Sequence, residues 1–209
     1  MKKQMKLPGT EIYGTTREKS SPPFAIDEIA AIIKSLSTRK APGHDLIEVK
    51  MIKEAWPEMQ LDIVEMFNDC LAQMVFPRQY KTALIRVLLK ADDKDKTDPK
   101  SYRPISLLPV IGKILERAIA GRLKHLVSNH PRSVERQYGF RIGKSTKDAI
   151  LELHKIVGET RGKYAVGLLF DISGAFDNVW WPSILVNLKD RDCPRNLCGA
   201  TWRTGARIL

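Results

Sequence analysis

Residues 166–177 read VGLLFDISGAFD, an apolar run that delivers Asp171 to the point where the chain turns. Continuous apolar character over 164–170 predicts a strand buried on both faces. A carboxylate at the end of such a strand is held rigidly, dehydrated on one side and open to a cleft on the other. That setting suits a Mg²⁺ ligand, and the competing reading is an Asp that caps the following turn. Two cations could complete the chemistry. Lys90 ends the apolar run 82–89, a second strand candidate, and Arg103 sits between Tyr102 and Pro104 on an expected rigid turn. Together they could clamp a triphosphate, Arg through its planar fork and Lys as a point charge. Asp171 would then hold the Mg²⁺ that neutralises the transferring phosphate. A solvated loop lysine and a structural ion pair are the plainer roles for Lys90 and Arg103.

A further basic stretch lies between these elements. Residues 132–147 contain five Lys or Arg and one Glu, interleaved with Tyr138 and Phe140. Cations with aromatics suit a groove that tracks a phosphate backbone while bases stack, although a charge run also forms a solvated face. Within it, Gly139-Phe140-Arg141-Ile142-Gly143-Lys144-Ser145 resembles a phosphate-binding P-loop. That motif needs four residues between its glycines and a strand feeding into it. Here the spacing is three, Tyr138 stands where glycine is required, and 132–137 is too polar for the strand.

The elements that must position these residues follow from periodicity. Residues 1–23 are polar, end in Ser-Ser-Pro-Pro and read as a tail or linker. Ile26, Ile29, Ile32, Ile33 and Leu36 recur at helical spacing, which predicts a helix over 25–36. A second helix is expected over 58–75, with Leu61, Val64, Leu71 and Val75 inward and Pro77 ending it. Residues 91–100 alternate Asp and Lys and read as a solvated loop. Ile111, Leu115, Ile119, Leu123 and Leu126 predict a long helix over 111–127. Ser145 and Asp148 match a capping box that opens a helix carrying Ile150, Leu153 and Val157, and another helix is expected over 182–189. Few strands among many helices indicate an α+β, helix-rich fold.

Composition narrows the partners. Across 209 residues, 35 Lys+Arg oppose 24 Asp+Glu, a formal charge of +11, which favours a polyanion such as nucleic acid. No apolar run approaches the roughly 20 residues that span a bilayer, and the basic start has no apolar core of a signal peptide. No membrane partner is expected, and an intracellular setting is. Three cysteines fit a reducing compartment. The histidines (His44, His125, His130, His154) are scattered singly and suggest no zinc site.

Five segments in order carry a resemblance: KAPGHD (40–45), ALIRVLLK (83–90), SYRPISLLPVIGKILERAIAGRL (101–123), QYGFRIGKSTKDAI (137–150) and FDISGAFDNV (170–179). Over about 160 residues the chain resembles reverse transcriptases of non-LTR (LINE-type) retrotransposons. The resemblance implies fingers over 24–165 and the start of a palm from 166 to 209. It makes Asp171 the first catalytic, metal-binding carboxylate and Ile172 the position whose carbonyl helps hold Mg²⁺. Phe176 becomes the aromatic that excludes a 2′-hydroxyl, and Lys90 and Arg103 the residues that grip the dNTP. Lys40 and, in the basic segment, Gln137, Gly139, Arg141 and Lys144 are expected on the template side. RNA template, DNA primer and dNTP are the implied partners, and the nucleus the implied place of action. Asp177 is expected to be structural.

The chain also departs from that pattern. Leu46 stands where the family usually has Gly, and Leu89 where Pro often precedes the lysine. Residues 191–209 match poorly and read as a frayed end. Neither the Gly-Gln motif nor the Tyr-x-Asp-Asp turn occurs in these 209 residues. The expectation is therefore a polymerase fragment, inactive by itself; a non-catalytic RNA-binding remnant is the alternative, and a P-loop NTPase a more remote one. In a polymerase completed with a relative's palm, Phe176→Val should raise ribonucleotide incorporation selectively. An equal fall in rNTP and dNTP rates would instead make Phe176 a packing residue.

Overall fold

The computed structural model describes residues 19–90, 95–130, 135–141, 143–160, 162–172 and 178–205. In chain order these form α1 (Ile26–Ser35), α2 (Val49–Ala72), β1 (Leu84–Leu89), β2 (Tyr102–Leu107), α3 (Val110–Asn129), α4 (Thr146–Glu159), α5 (Trp181–Lys189) and α6 (Arg195–Gly205). Short 3₁₀ turns at Arg78–Lys81 and Pro99–Ser101 lead into the two strands. The described residues are thus helix-rich with one two-stranded antiparallel sheet. None of their helices is long and apolar enough to cross a membrane.

The core lies where α3 meets α1 and α6, with α2 packed on both of those helices. Val110, Ile111, Ile114, Leu115, Ala118 and Ile119 recur every three or four residues, so one stripe of α3 is buried. Ile29 and Ile33 of α1 and Ile63, Phe67 and Leu71 of α2 complete the cluster. The second helix is longer than the sequence suggests, running from Val49 through Pro57. An interior proline costs about 3 kcal/mol. Burying Val49 and Ile52 returns about 1.5–3 kcal/mol each, enough to hold the first turns in place. The expected inward face needs correction at two places, because Leu61 and Val75 are exposed.

Residues 191–205 are not a frayed end, and 206–209 lie outside the described residues. The former include α6, whose Leu197, Cys198 and Ala200 are buried. Its docking face is built from small residues, so the apolar period is weak in the sequence. A Cβ at Gly199 would lie 2.6–2.8 Å from the Met74 Sδ, Cγ and Cβ atoms, so glycine there lets the helix pack against Met74 without displacing it.

The stretch expected as a tail is anchored where it joins α1. Arg122 of α3 pairs with Glu28 at 2.8 Å, donates to Ser21 Oγ at 2.9 Å and to the Pro23 carbonyl at 2.9 Å, and also reaches the Pro22 carbonyl. Its guanidinium lies 4.2 Å from the Phe24 ring centroid. Asn68 of α2 brackets the Phe24 backbone, accepting from its N–H at 2.6 Å and donating to its carbonyl at 3.2 Å. Asn196 of α6 does the same for Ser21, at 2.8 and 3.0 Å.

Two further expectations fail. Residues 164–172 form no strand, and their apolar side chains are open to solvent, Leu169 at 98% and Phe170 at 90% exposure. A strand must pair its N–H and C=O groups with a neighbour, and none of the described residues pairs with this segment. In α4, Ile150, Leu153 and Val157 are likewise exposed, although the helix forms as expected.

Leu46 keeps the left-handed backbone, φ 58°, of the position where glycine is usual. For a branched residue that conformation costs about 1–2 kcal/mol. Leu46→Gly should therefore raise stability by up to about 1 kcal/mol, since the side chain is mostly exposed and little packing is lost. Arg122→Met should lower stability by about 2 kcal/mol by leaving Glu28 and several carbonyls without their donor. Urea midpoints check both; an unchanged midpoint for Arg122→Met would show that the segment before α1 docks without it.

Candidate nucleotide and nucleic-acid site

Lys90 and Arg103 meet at the connected end of the β1–β2 hairpin, where the chain leaves β1 and enters β2. Arg103 is not on a turn: it belongs to β2, directly opposite Leu88. Pro104 sits opposite Val87 and is tolerated because the hairpin has free edges. Strand alternation puts Arg86, Lys90 and Arg103 on one face. Arg103 Nη2 lies 3.4 Å from the Lys90 carbonyl, and Lys90 Nζ donates to the Lys100 carbonyl at 2.7 Å. The Lys90 N–H continues the ladder to the Ser101 carbonyl at 2.8 Å. Both cations are exposed, and neither is in an ion pair among the described residues.

Asp171 and Ile172 are exposed and lie outside any helix or strand. No hydrogen bond or ion pair among the described residues joins Asp171 to Lys90 or Arg103. Nor do the described residues gather three His, Cys, Asp or Glu side chains that could hold a metal. Phe176 and Asp177 lie outside the described residues. The cysteines are free; the Cys193 thiol is pushed up by a side-chain hydrogen bond with Cys198 and by burial.

The KAPGHD segment is fixed against the start of α3. A Cβ at Gly43 would come 2.6 Å from Pro109 N and 2.7 Å from the Leu108 carbonyl carbon, so only glycine allows this approach. Asp45 Oδ1 accepts from the Ile47 N–H at 3.3 Å and steadies the turn. This docking brings Lys40 near Lys113 of α3. Burial holds the Lys113 ammonium below its usual range, repulsion from Lys40 adds to that, and Asp45 opposes it. Lys113 lies inside a helical repeat, where nothing in the sequence marks it for function; only the packing of 40–45 onto α3 reveals it.

The basic loop 135–145 is organised by its own side chains. Lys144 lies 4.7 Å from the Tyr138 ring centroid and donates to the Glu135 carbonyl. Gln137 donates to the Gly139 carbonyl at 3.2 Å. Ser145 and Asp148 form the expected capping box at the start of α4, and hydrogen bonds from Ser145 hold the Asp148 carboxyl below its usual range. The Asp148 carboxylate already accepts from the Ser145 N–H at this helix start, and its negative charge disfavours a phosphate there. Gln137 and Arg141 face α3, α5 and α6 across a cavity of about 320 Å³, whose lining includes Lys124 and Arg191. Gly139 lies in the same loop with open space around it, since a methyl group there would meet no atom within 4 Å.

Known proteins give this arrangement its context. The reverse transcriptase (RNA-dependent DNA polymerase) family matches residues 90–207. The chain belongs to the reverse transcriptase family. It is 35% identical over 192 residues, 92% of the chain, to a 115 kDa protein in the type-1 retrotransposable element R1DM of Drosophila melanogaster. It is 36% identical, over 81% of the chain, to the Pol polyprotein from the type-1 retrotransposable element R1 of Bradysia coprophila. The RNA-directed DNA polymerase from the mobile element jockey of Drosophila melanogaster is 36% identical over 78% of the chain. Within that family, these relatives are of the non-LTR retrotransposon type. The chain spans 17–18% of their length. Within it, Lys90, Arg103, Asp171 and the basic loop fall in the family-matched region, and the Lys40 turn precedes it.

The Lys40–Lys113 pair has a measurable consequence. Because Lys113 titrates below its unfolded value, its protonated form costs stability at neutral pH, and the cost is relieved as pH rises through the folded value. Lys40→Gln should move the Lys113 titration upward without restoring it fully, since burial is the larger cause. Side-chain NMR titration checks this; an unmoved Lys113 would separate the two residues.

Proposed function

We propose that this chain supplies the fingers and the opening of the palm of a retrotransposon RNA-directed DNA polymerase. The observation that carries the reading is the cationic face of the hairpin, Arg86, Lys90 and Arg103, in a chain of the reverse transcriptase family. In the full enzyme a primer 3′-OH attacks the α-phosphate of a dNTP and pyrophosphate leaves. Lys90 and Arg103 hold the triphosphate, Arg103 offering a planar pair of donors and Lys90 a mobile charge. Phe176 guards the sugar. Template RNA runs along Lys40 and Lys113 and the Gln137, Gly139, Arg141 and Lys144 loop.

Reverse transcriptases use a divalent metal, and Mg²⁺ is the ion proposed for this one. The Asp171 carboxylate and the Ile172 carbonyl are hard oxygen donors of the kind Mg²⁺ prefers. A pair of Mg²⁺ ions would supply Lewis-acid stabilisation of the attacking and leaving oxygens. One carboxylate and one carbonyl are too few donors for both, so Asp171 acts with carboxylates supplied from elsewhere in the polymerase. The same shortage of metal ligands among the described residues favours, as a second reading, RNA binding without chemistry for the 209 residues taken alone.

Two experiments separate these readings. The 209-residue chain should extend no primer on an RNA template with Mg²⁺, should gain activity when joined to a relative's Tyr-x-Asp-Asp segment, and should lose it again in Asp171→Asn. Extension by these residues alone would contradict the shared-carboxylate arrangement. Single-stranded RNA should bind with strong salt dependence, and Lys40→Gln and Lys113→Gln should each reduce the slope of log affinity against log salt by about 0.7. An unchanged slope in both would remove this pair from the RNA path.

A further inference from the structure

The cavity between α3, the 137–141 loop, α5 and α6 is used by neither the triphosphate grip nor the carboxylate. Lys124, Arg141 and Arg191 line it, and no Asp or Glu is among its described lining residues. A cavity of about 320 Å³ has room for one nucleotide. Leu123 and Leu188 supply an apolar wall.

Two features point to a ligand. Phe140 lines the cavity, is 98% exposed and adopts φ 60°. A bulky side chain in the left-handed region is a true outlier, and here the strain is not offset by any burial of the ring. Such strain is typical of residues whose placement serves binding. The second feature is Arg191. Its Nη1 donates to Asn187 at 3.1 Å (carbonyl) and 3.3 Å (Oδ1), which fixes the guanidinium, while its Nε is buried with no acceptor among the described residues. A buried donor left unpaired is costly, and an anionic oxygen would satisfy it.

We propose that this cavity takes one unpaired nucleotide of a single nucleic-acid strand. The base stacks on Phe140 over the apolar wall, and the adjoining phosphate is held by Lys124, Arg141 and Arg191. Stacking on an aromatic beside a positively charged groove is sequence-tolerant, so the site reads strandedness rather than sequence. Its ligand class rests on the nucleic-acid reading above, but its location is independent of the Lys40–Lys113 surface.

The test uses the full chain with a single-stranded RNA of about 12 nucleotides carrying one 2-aminopurine. Anisotropy reports binding and 2-aminopurine quenching reports stacking; the matching DNA strand and a blunt duplex are compared. Quenching by both single strands and none by the duplex is expected. Phe140→Ala should remove the quenching, and Lys124→Glu, an exposed position that leaves the fold intact, should weaken binding about tenfold. Lys40→Gln should weaken binding yet leave the quenching at saturation. RNA that binds without quenching, or quenching that survives Phe140→Ala, overturns the cavity site alone. Absence of any RNA binding overturns it together with the nucleic-acid reading.

Discussion

Arg122 closes the fold. Its guanidinium, carried on the central helix α3, holds Glu28 of α1, the Ser21 hydroxyl and the carbonyls of Pro22 and Pro23, with Phe24 stacked against it. The Phe24 and Ser21 backbones in the same segment are held in turn by Asn68 of α2 and Asn196 of α6. Residues 175 positions apart are thereby joined through one short segment. A half-buried cation of this kind contributes little net energy as an ion pair, but leaving its partners unsatisfied is expensive. Its main effect is to specify one arrangement of four helices. The surfaces proposed to bind nucleic acid rest on that arrangement: the Lys40 turn leans on the start of α3, and the basic cavity lies between α3 and the α5–α6 pair.

The proposed triphosphate grip depends on it less directly. Both hairpin strands are largely exposed, and the strands themselves pack mainly on each other. Ile85, Val87 and Leu88 face solvent, as do Leu168, Leu169 and Phe170 and one side of α4. Apolar surface on this scale is uncommon in a free monomer and usually marks an interface. It coincides with the elements that carry Lys90, Arg103 and Asp171, in a chain that spans 17–18% of its relatives.

Much of the fold is legible in the sequence because helix signals are local. The stripe on α3, the capping box of α4 and the strand that delivers Lys90 all rest on spacings within a few residues. Sequence reasoning fails where distant residues decide. A strand over 164–170 needs a pairing partner, and apolar content cannot supply one. Pro104 suggests a turn at Arg103, whereas an open hairpin edge accommodates the proline. α6 docks through Gly199 and Ala200, which carry almost no periodic signal. The same reason hides Lys113 and Arg191: their significance comes from what the fold packs beside them.

The central claim is that Lys90 and Arg103 act together on the triphosphate. A double-mutant cycle on dNTP KM tests it most directly, with Lys90→Ala, Arg103→Ala and both combined in a polymerase completed with a relative's palm. The account predicts that each single change raises KM about tenfold or more, and that the double change costs clearly less than the two combined, as for groups holding one ligand. Unchanged KM in both single variants would contradict it and leave the hairpin's cationic face without a role in nucleotide binding.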